Sequence, residues 1–137
     1  MQLKPQTILI VDDNEDDCEA LVRAFKKIGL DNPVSMRQSG SAALEFLKQA
    51  EKPALILLDL NMPGMDGHKV LQMIKEDASL RHIPVIIWST SSNEKDVETC
   101  YRMGANAYMQ KPIVYETLLE SAKNFKEYWF ETARLPA

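Results

Sequence analysis

Short runs of apolar residues alternate along the chain with stretches whose apolar positions recur every three or four residues. Thr7–Val11 (TILIV) is a continuous run rich in β-branched residues and predicts a first strand. Cys18, Leu21, Phe25 and Ile28 follow at spacings of three, four and three, one face of a helix, and Gly29 stands where a left-handed stop would end it. Pro33–Gln38 is less apolar and suits a strand at a sheet edge. Ala43, Phe46, Leu47 and Ala50 predict a second helix, and Ala54–Leu58 (ALILL) a strand buried on both faces. Beyond a loop rich in Pro and Gly, Val70, Leu71, Ile74 and Ala78 mark the inward side of a third helix, and Pro84–Trp88 (PVIIW) a fourth strand. Ser91-Ser92-Asn93-Glu94 has capping-box spacing and opens a fourth helix carrying Val97, Cys100 and Tyr101, which Gly104 ends. Ala107–Gln110 is a short fifth strand. A last helix runs from about Tyr115 to Arg134 with Leu118, Ala122, Phe125 and Trp129 on one stripe.

A strand followed by a helix, five times over, implies a parallel sheet covered on both faces. Right-handed crossovers leave few topologies, and a doubly wound α/β three-layer sandwich with strand order 2-1-3-4-5 leads them. The 137 residues suit one domain, 1–137, large enough to fold without a disulfide or metal staple. Net charge is −4, which gives no basic footprint for nucleic acid. No apolar run approaches a membrane span, and the N-terminus has no secretory pattern, so a cytoplasmic location is expected. Cys18 and Cys100 lie in helical patterns without metal-ligand spacing and read as reduced core thiols.

Function is sought at the carboxyl ends of the strands, where open α/β sheets bind their ligands. The first strand ends in Asp12 and Asp13, the third in Asp59, the fourth in Ser89 and the fifth in Lys111. In the order 2-1-3-4-5 the first and third strands are neighbours, so three carboxylates converge. Their repulsion calls for a proton or a cation. All-oxygen ligands suit a hard divalent ion such as Mg²⁺, which prefers one or two carboxylates, waters and phosphate oxygens. A lone lysine can serve a phosphate as a point charge and a serine hydroxyl can hydrogen-bond it. These are the parts phosphoryl transfer needs, with a carboxylate as nucleophile.

Four separated motifs now carry a resemblance: Ile8–Asp13 with Asn14, the segment Leu57–Gly67 (LLDLNMPGMDG), Ser89-Thr90, and Lys111-Pro112. Together they resemble the response-regulator receiver domain of two-component signalling, over about residues 6–125. The resemblance implies a flavodoxin-like sandwich and makes Asp59 the phospho-acceptor. It implies that Asp13, Asp59 and the backbone carbonyl of Asn61 ligate Mg²⁺, with Asp12 helping through water. It implies that Lys111 holds the phosphoryl group, that Ser89 is the hydroxyl that moves toward it, and that Tyr108 reports the movement by its rotamer. A cis Lys111–Pro112 peptide is implied as well. Ser89 stands where threonine is commoner, preserving the hydrogen bond, and Thr90 where alanine is frequent, its bulk expected to restrict access to Asp59. The implied partners are a sensor histidine kinase and a downstream protein target. The 26 residues from Pro112 to Ala137 leave room for one helix and no output domain.

Other readings compete residue by residue. Six acids crowd Asp12–Glu19, and for Glu15, Asp16, Asp17 and Glu19 a solvated first helical turn is sufficient. EF-hand spacing fails, since Asp17 occupies the glycine position and Arg23 the final glutamate position. Gly67 reads as a turn or helix-stop glycine, and His68 and His82 as exposed. A phosphohydrolase with an Asp nucleophile is the enzymatic alternative; Asp59-Leu60-Asn61 has Asn where the second acid belongs, which favours a phospho-acceptor over a turnover enzyme. Nucleotide-binding glycine loops are absent from the sequence. Tyr128, Trp129 and Phe130 span roughly 200° of a helix, so at least one ring is expected in solvent or at a partner. The tail Glu127–Pro136 resembles those of standalone regulators that partner bacterial phytochrome-type kinases. In that group homodimers form through the fourth and fifth helix face.

Overall fold

The computed structural model describes residues 6–136. Strands β1 (Ile8–Val11), β2 (Val34–Arg37), β3 (Leu55–Leu58), β4 (Val85–Ser89) and β5 (Ala107–Gln110) form one parallel sheet in the order β2-β1-β3-β4-β5. Helices α1 (Glu15–Lys27), α2 (Gly40–Phe46), α3 (Gly67–Glu76), α4 (Glu94–Arg102) and α5 (Tyr115–Lys126) connect and flank it.

The period-2 geometry of the strands sorts their side chains into two cores. Leu9, Val11, Ile56, Leu58, Val85 and Ile87 meet Ala43, Val70, Leu71, Ile74 and Cys100 of α2, α3 and α4. Ile8, Ile10, Leu55, Leu57, Ile86 and Trp88 meet Cys18, Leu21, Phe25, Ala122 and Phe125 of α1 and α5. That alternation explains a large Trp88 at a strand end: its ring faces the α1/α5 layer and is buried there. Phe25 and Phe125 stack across that layer at 5.4 Å and 22°, each burial contributing about 2–3 kcal/mol. β2 is the least buried of the strands on the β1 side, as its polar sequence predicts for an edge. Gly29 ends α1 at a positive φ of 83°, the left-handed stop read from the sequence.

Several boundaries differ from the sequence expectation, each for a local reason. α2 stops at Phe46 and Ala50 is exposed, because the Lys52 ammonium donates to the carbonyls of Leu47 and Gln49 at 2.6 and 2.5 Å. α3 stops at Glu76 and leaves Ala78 in solvent. The Asp77 carboxylate accepts from the backbone and hydroxyl of Ser79, diverting the chain from the helix, and Leu80 takes the buried position instead. The cap of α4 is Asn93, whose side chain accepts from the Lys95 N–H at 2.8 Å; Ser91 lies upstream in the loop. After α5 the helix widens into a π-helical turn, Glu127–Thr132, closed by an i→i+5 bond from the Ala133 N–H to the Tyr128 carbonyl at 2.6 Å. The wider turn lets both Trp129 and Phe130 lean on the α1/α5 core while Tyr128 points to solvent, which meets the expectation of one exposed ring. His82 is exposed, whereas His68 is half-buried on the first turn of α3. Cys18 and Cys100 are buried free thiols. Burial, reinforced by Asp12, pushes Cys18 up to about 12, and burial pushes Cys100 up to about 11, so neither is a thiolate at neutral pH.

Candidate functional site

Strand register assembles the site. Val11 pairs with Leu58 across β1 and β3, so the residues that follow, Asp12 and Asp59, leave the sheet side by side. Backbone bonds hold them there: the Asp12 N–H donates to Arg37 O at 3.0 Å and the Asp59 N–H to Val11 O at 2.9 Å. On the other flank Ser89 pairs with Gln110, and the Lys111 N–H donates to Ser89 O at 2.7 Å, placing Lys111 at the same sheet edge.

Asp12, Asp13 and Asp59 each present a carboxylate oxygen, and these oxygens lie within 4.8 Å of one another. Asp12 and Asp59 are only 1% and 5% exposed, and Asp13 faces solvent. The Lys111 side chain, 8% exposed, brings its ammonium into the cluster. The ammonium lies 2.5 Å from Asp12, 3.1 Å from Asp17 and 3.7 Å from Asp59. Burial pushes the Asp59 carboxyl up to about 6 against the pull of Lys111, with Asp12 adding to the rise and a hydrogen bond from the Asn61 N–H opposing it. Burial alone would lower the Lys111 ammonium; its hydrogen bond to Asp12 and the charges of Asp12 and Asp59 outweigh that and raise it above its ordinary value.

Ser89 is fully buried, and its hydroxyl accepts from the Ser91 N–H at 3.2 Å. The half-buried Tyr108 donates its hydroxyl to the Ser91 carbonyl at 2.9 Å. Ser91 therefore joins the two, and its own hydroxyl reaches Asp96 on α4 at 2.8 Å. Thr90 and the side chain of Asn61 are exposed at the rim. The sequence-derived residues are thus gathered as one acid–lysine cluster with an adjoining serine–tyrosine linkage.

Three features differ from expectation. No peptide bond among the described residues is cis, so Lys111–Pro112 is trans; an X–Pro bond tolerates either form within about 1 kcal/mol. Asp17 is no mere solvated acid, because it bonds the buried lysine. The available signal was place: it lies in the first turn of α1, directly after the strand end that carries Asp12 and Asp13. Gly67 is more than a turn residue. A Cβ there would stand 2.2 Å from the Asp59 carbonyl oxygen and 2.6 Å from Leu60 Cα, so only glycine lets α3 begin directly against the Asp59 backbone.

A doubly wound sheet of this order with an acid trio and a lysine at its carboxyl edge is the architecture of a receiver domain. Residues 8–123 match the family model described as response regulator receiver domain, and the chain belongs to that family. It is 36% identical over 139 residues to response regulator Rcp1 of Synechocystis sp., covering 97% of this chain and 95% of that protein. The crystal structure of the Mn²⁺-bound form of Rcp1 superposes with a TM-score of 0.89, over 97% of this chain and 100% of that one. The crystal structure of the phosphorylated cyanobacterial phytochrome response regulator RcpA, 36% identical, superposes with a TM-score of 0.91 over 98% and 100%. A probable methanogenesis regulatory protein, FilR2 of Methanothrix harundinacea, is 36% identical over 137 residues, 96% of this chain and 88% of that protein. No helix among the described residues is long and apolar enough to cross a membrane.

Proposed function

We propose that this chain is a phosphorylation-controlled switch of the cytoplasm, in which Asp59 accepts a phosphoryl group from the phosphohistidine of a sensor histidine kinase. A carboxylate oxygen of Asp59 attacks phosphorus, the P–N bond breaks, and the histidine leaves with the electron pair, giving an acyl phosphate. The observation that carries this reading is the buried Asp59 carboxylate beside Asp12, Asp13 and a buried ammonium.

The donor set fits a hard divalent ion, because it is all oxygen and two of its carboxylates are desolvated. Asp12, Asp13, Asp59 and the backbone carbonyl of Asn61 would hold Mg²⁺. When bound, the ion neutralises the crowded carboxylates and the oxygens of the arriving phosphoryl group. Mn²⁺ in Rcp1 and phosphorylation of RcpA support both parts of the reading. Lys111 supplies the positive charge on the other side of the phosphoryl group, and Ser89 supplies a hydroxyl donor. Moving Ser89 toward the phosphoryl group breaks its bond to Ser91. Ser91 also holds the Tyr108 hydroxyl and Asp96 of α4, so the event at Asp59 is passed to the α4 and β5 surface.

The test is intact mass after incubation with Mg²⁺ and acetyl phosphate. A gain of one phosphoryl group, retained long enough to be weighed, is expected. Rapid turnover of phosphomonoesters without any mass gain would favour the hydrolase alternative.

The switched surface also supports a homodimer and a downstream protein partner. Tyr101, Ile113, Val114, Tyr115 and Tyr128, all from α4 onward, are large apolar side chains left in solvent. Sedimentation of the full chain should show self-association that Tyr101→Ser with Tyr128→Ser reduces. Identical monomers in both samples would remove the dimer.

A further inference from the structure

We propose that Asp17 is a positioning residue, a releasable tether that holds Lys111 toward α1 and must let go when Asp59 is phosphorylated. This rests on the reading of Asp59 as phospho-acceptor.

An ammonium has three donors. In Lys111 one reaches Asp12 at 2.5 Å and a second reaches Asp17 at 3.1 Å. The 3.7 Å to Asp59 is longer than a hydrogen bond, so the charge is drawn to the α1 side of the cluster. The third donor is unengaged, but for it to bond a phosphoryl group on Asp59 the nitrogen must shift toward that side of the cluster, which stretches the contacts that hold it toward α1. Asp12 is buried, so it releases the lysine only where another cation takes the lysine's place. The Asp17 side chain is 42% exposed, so water replaces the lysine at little cost. Asp17 is nonetheless held in place, since its own N–H donates to the capping side chain of Asn14 at 3.0 Å. A preference for acids at a helix N-terminus explains the residue type. It does not explain a bond to a buried lysine 94 positions away.

The experiment is binding of beryllofluoride, a phosphoryl mimic, to the full chain with Mg²⁺, followed by the ¹⁹F resonance of the bound form. Asp17→Asn, whose neutral amide oxygen holds the ammonium less strongly than a carboxylate, should bind about fivefold more tightly than wild type. Asp17→Glu should restore the wild-type affinity. Asp16→Asn, an exposed acid on the same turn, should leave the affinity unchanged. In a Lys111→Met background Asp17→Asn should have no effect. Unchanged or weaker binding by Asp17→Asn, with wild type binding normally, overturns the tether and leaves the acceptor reading standing. Weaker binding by both Asp17 variants means a merely structural role and overturns it too. If wild type shows no bound resonance, the acceptor reading fails first and the tether falls with it.

Discussion

Asp59→Asn is expected to abolish phosphoryl incorporation and, with divalent ions chelated, to make the protein more stable at pH 7 by about 3 kcal/mol. The two effects have one cause. Burial and the neighbouring acids push the Asp59 carboxyl from an ordinary 3.8 up to about 6. Below about pH 4 the group is neutral in both folded and unfolded chains and has no effect. Between about pH 4 and 6 the unfolded chain gives up its proton while the folded protein keeps it, so stability falls as pH rises. Above about pH 6 the charged carboxylate is present in both states, and the full penalty of burying it applies. Asparagine is neutral throughout and removes that penalty along with the nucleophile. Urea denaturation in chelator should therefore give the variant the higher midpoint at pH 7, with the gap closing toward pH 4. Adding Mg²⁺ at pH 7 should stabilise the wild type by ligand binding and narrow the gap from the other side. A variant less stable than wild type at pH 7 would mean that attraction to Lys111 outweighs burial, and the functional argument from a strained acid cluster would lose its footing.

That cluster could be located from the chain because parallel strands impose a rule of place. Once TILIV, ALILL, PVIIW and Ala107–Gln110 are read as strands, the residues after them are committed to one edge, and the β1–β3 and β4–β5 registers bring Asp12 to Asp59 and Lys111 to Ser89. Continuous apolar runs and period-3.6 stripes are strong signals, which is why all five strands and five helices stand near their expected places. What escaped depends on contacts between elements or on competition at helix ends. Asp17 looks like any first-turn acid until a lysine from β5 is set beside it. Gly67 looks like any turn glycine until α3 is docked on the Asp59 backbone. Ala78 fits the helical stripe, yet the Asp77–Ser79 bonds end the helix before it. The π-helical turn at Glu127–Thr132 preserves the apolar pattern while changing the rotation per residue, which periodicity alone does not register.

Lys111→Met should have the largest effect on stability, a loss of about 3–5 kcal/mol at pH 7 in chelator. Methionine keeps the length of the lysine stem and removes only the charge and its donors. The loss arises at Asp12. Its Oδ1 retains the Asn14 N–H at 3.0 Å, but Oδ2 has the Lys111 ammonium as its partner and is buried beyond the reach of compensating water. Asp59 loses its nearest positive charge at the same time, so two buried acids repel with no cation between them. Breaking a buried pair from one side costs more than deleting both partners, because the remaining charge is stranded. Asp12→Asn added to Lys111→Met should therefore recover most of the loss, giving a coupling energy of the order of 2 kcal/mol or more in a double-mutant cycle. Acid should rescue the single variant as well, since protonating the stranded carboxylates removes the repulsion. Equal stability of Lys111→Met and wild type across pH 5–8 would show that the ammonium does not neutralise the cluster. The carboxylates would then have to be held apart by something other than the lysine, and Lys111 would be free of Asp12 before any phosphoryl group arrives.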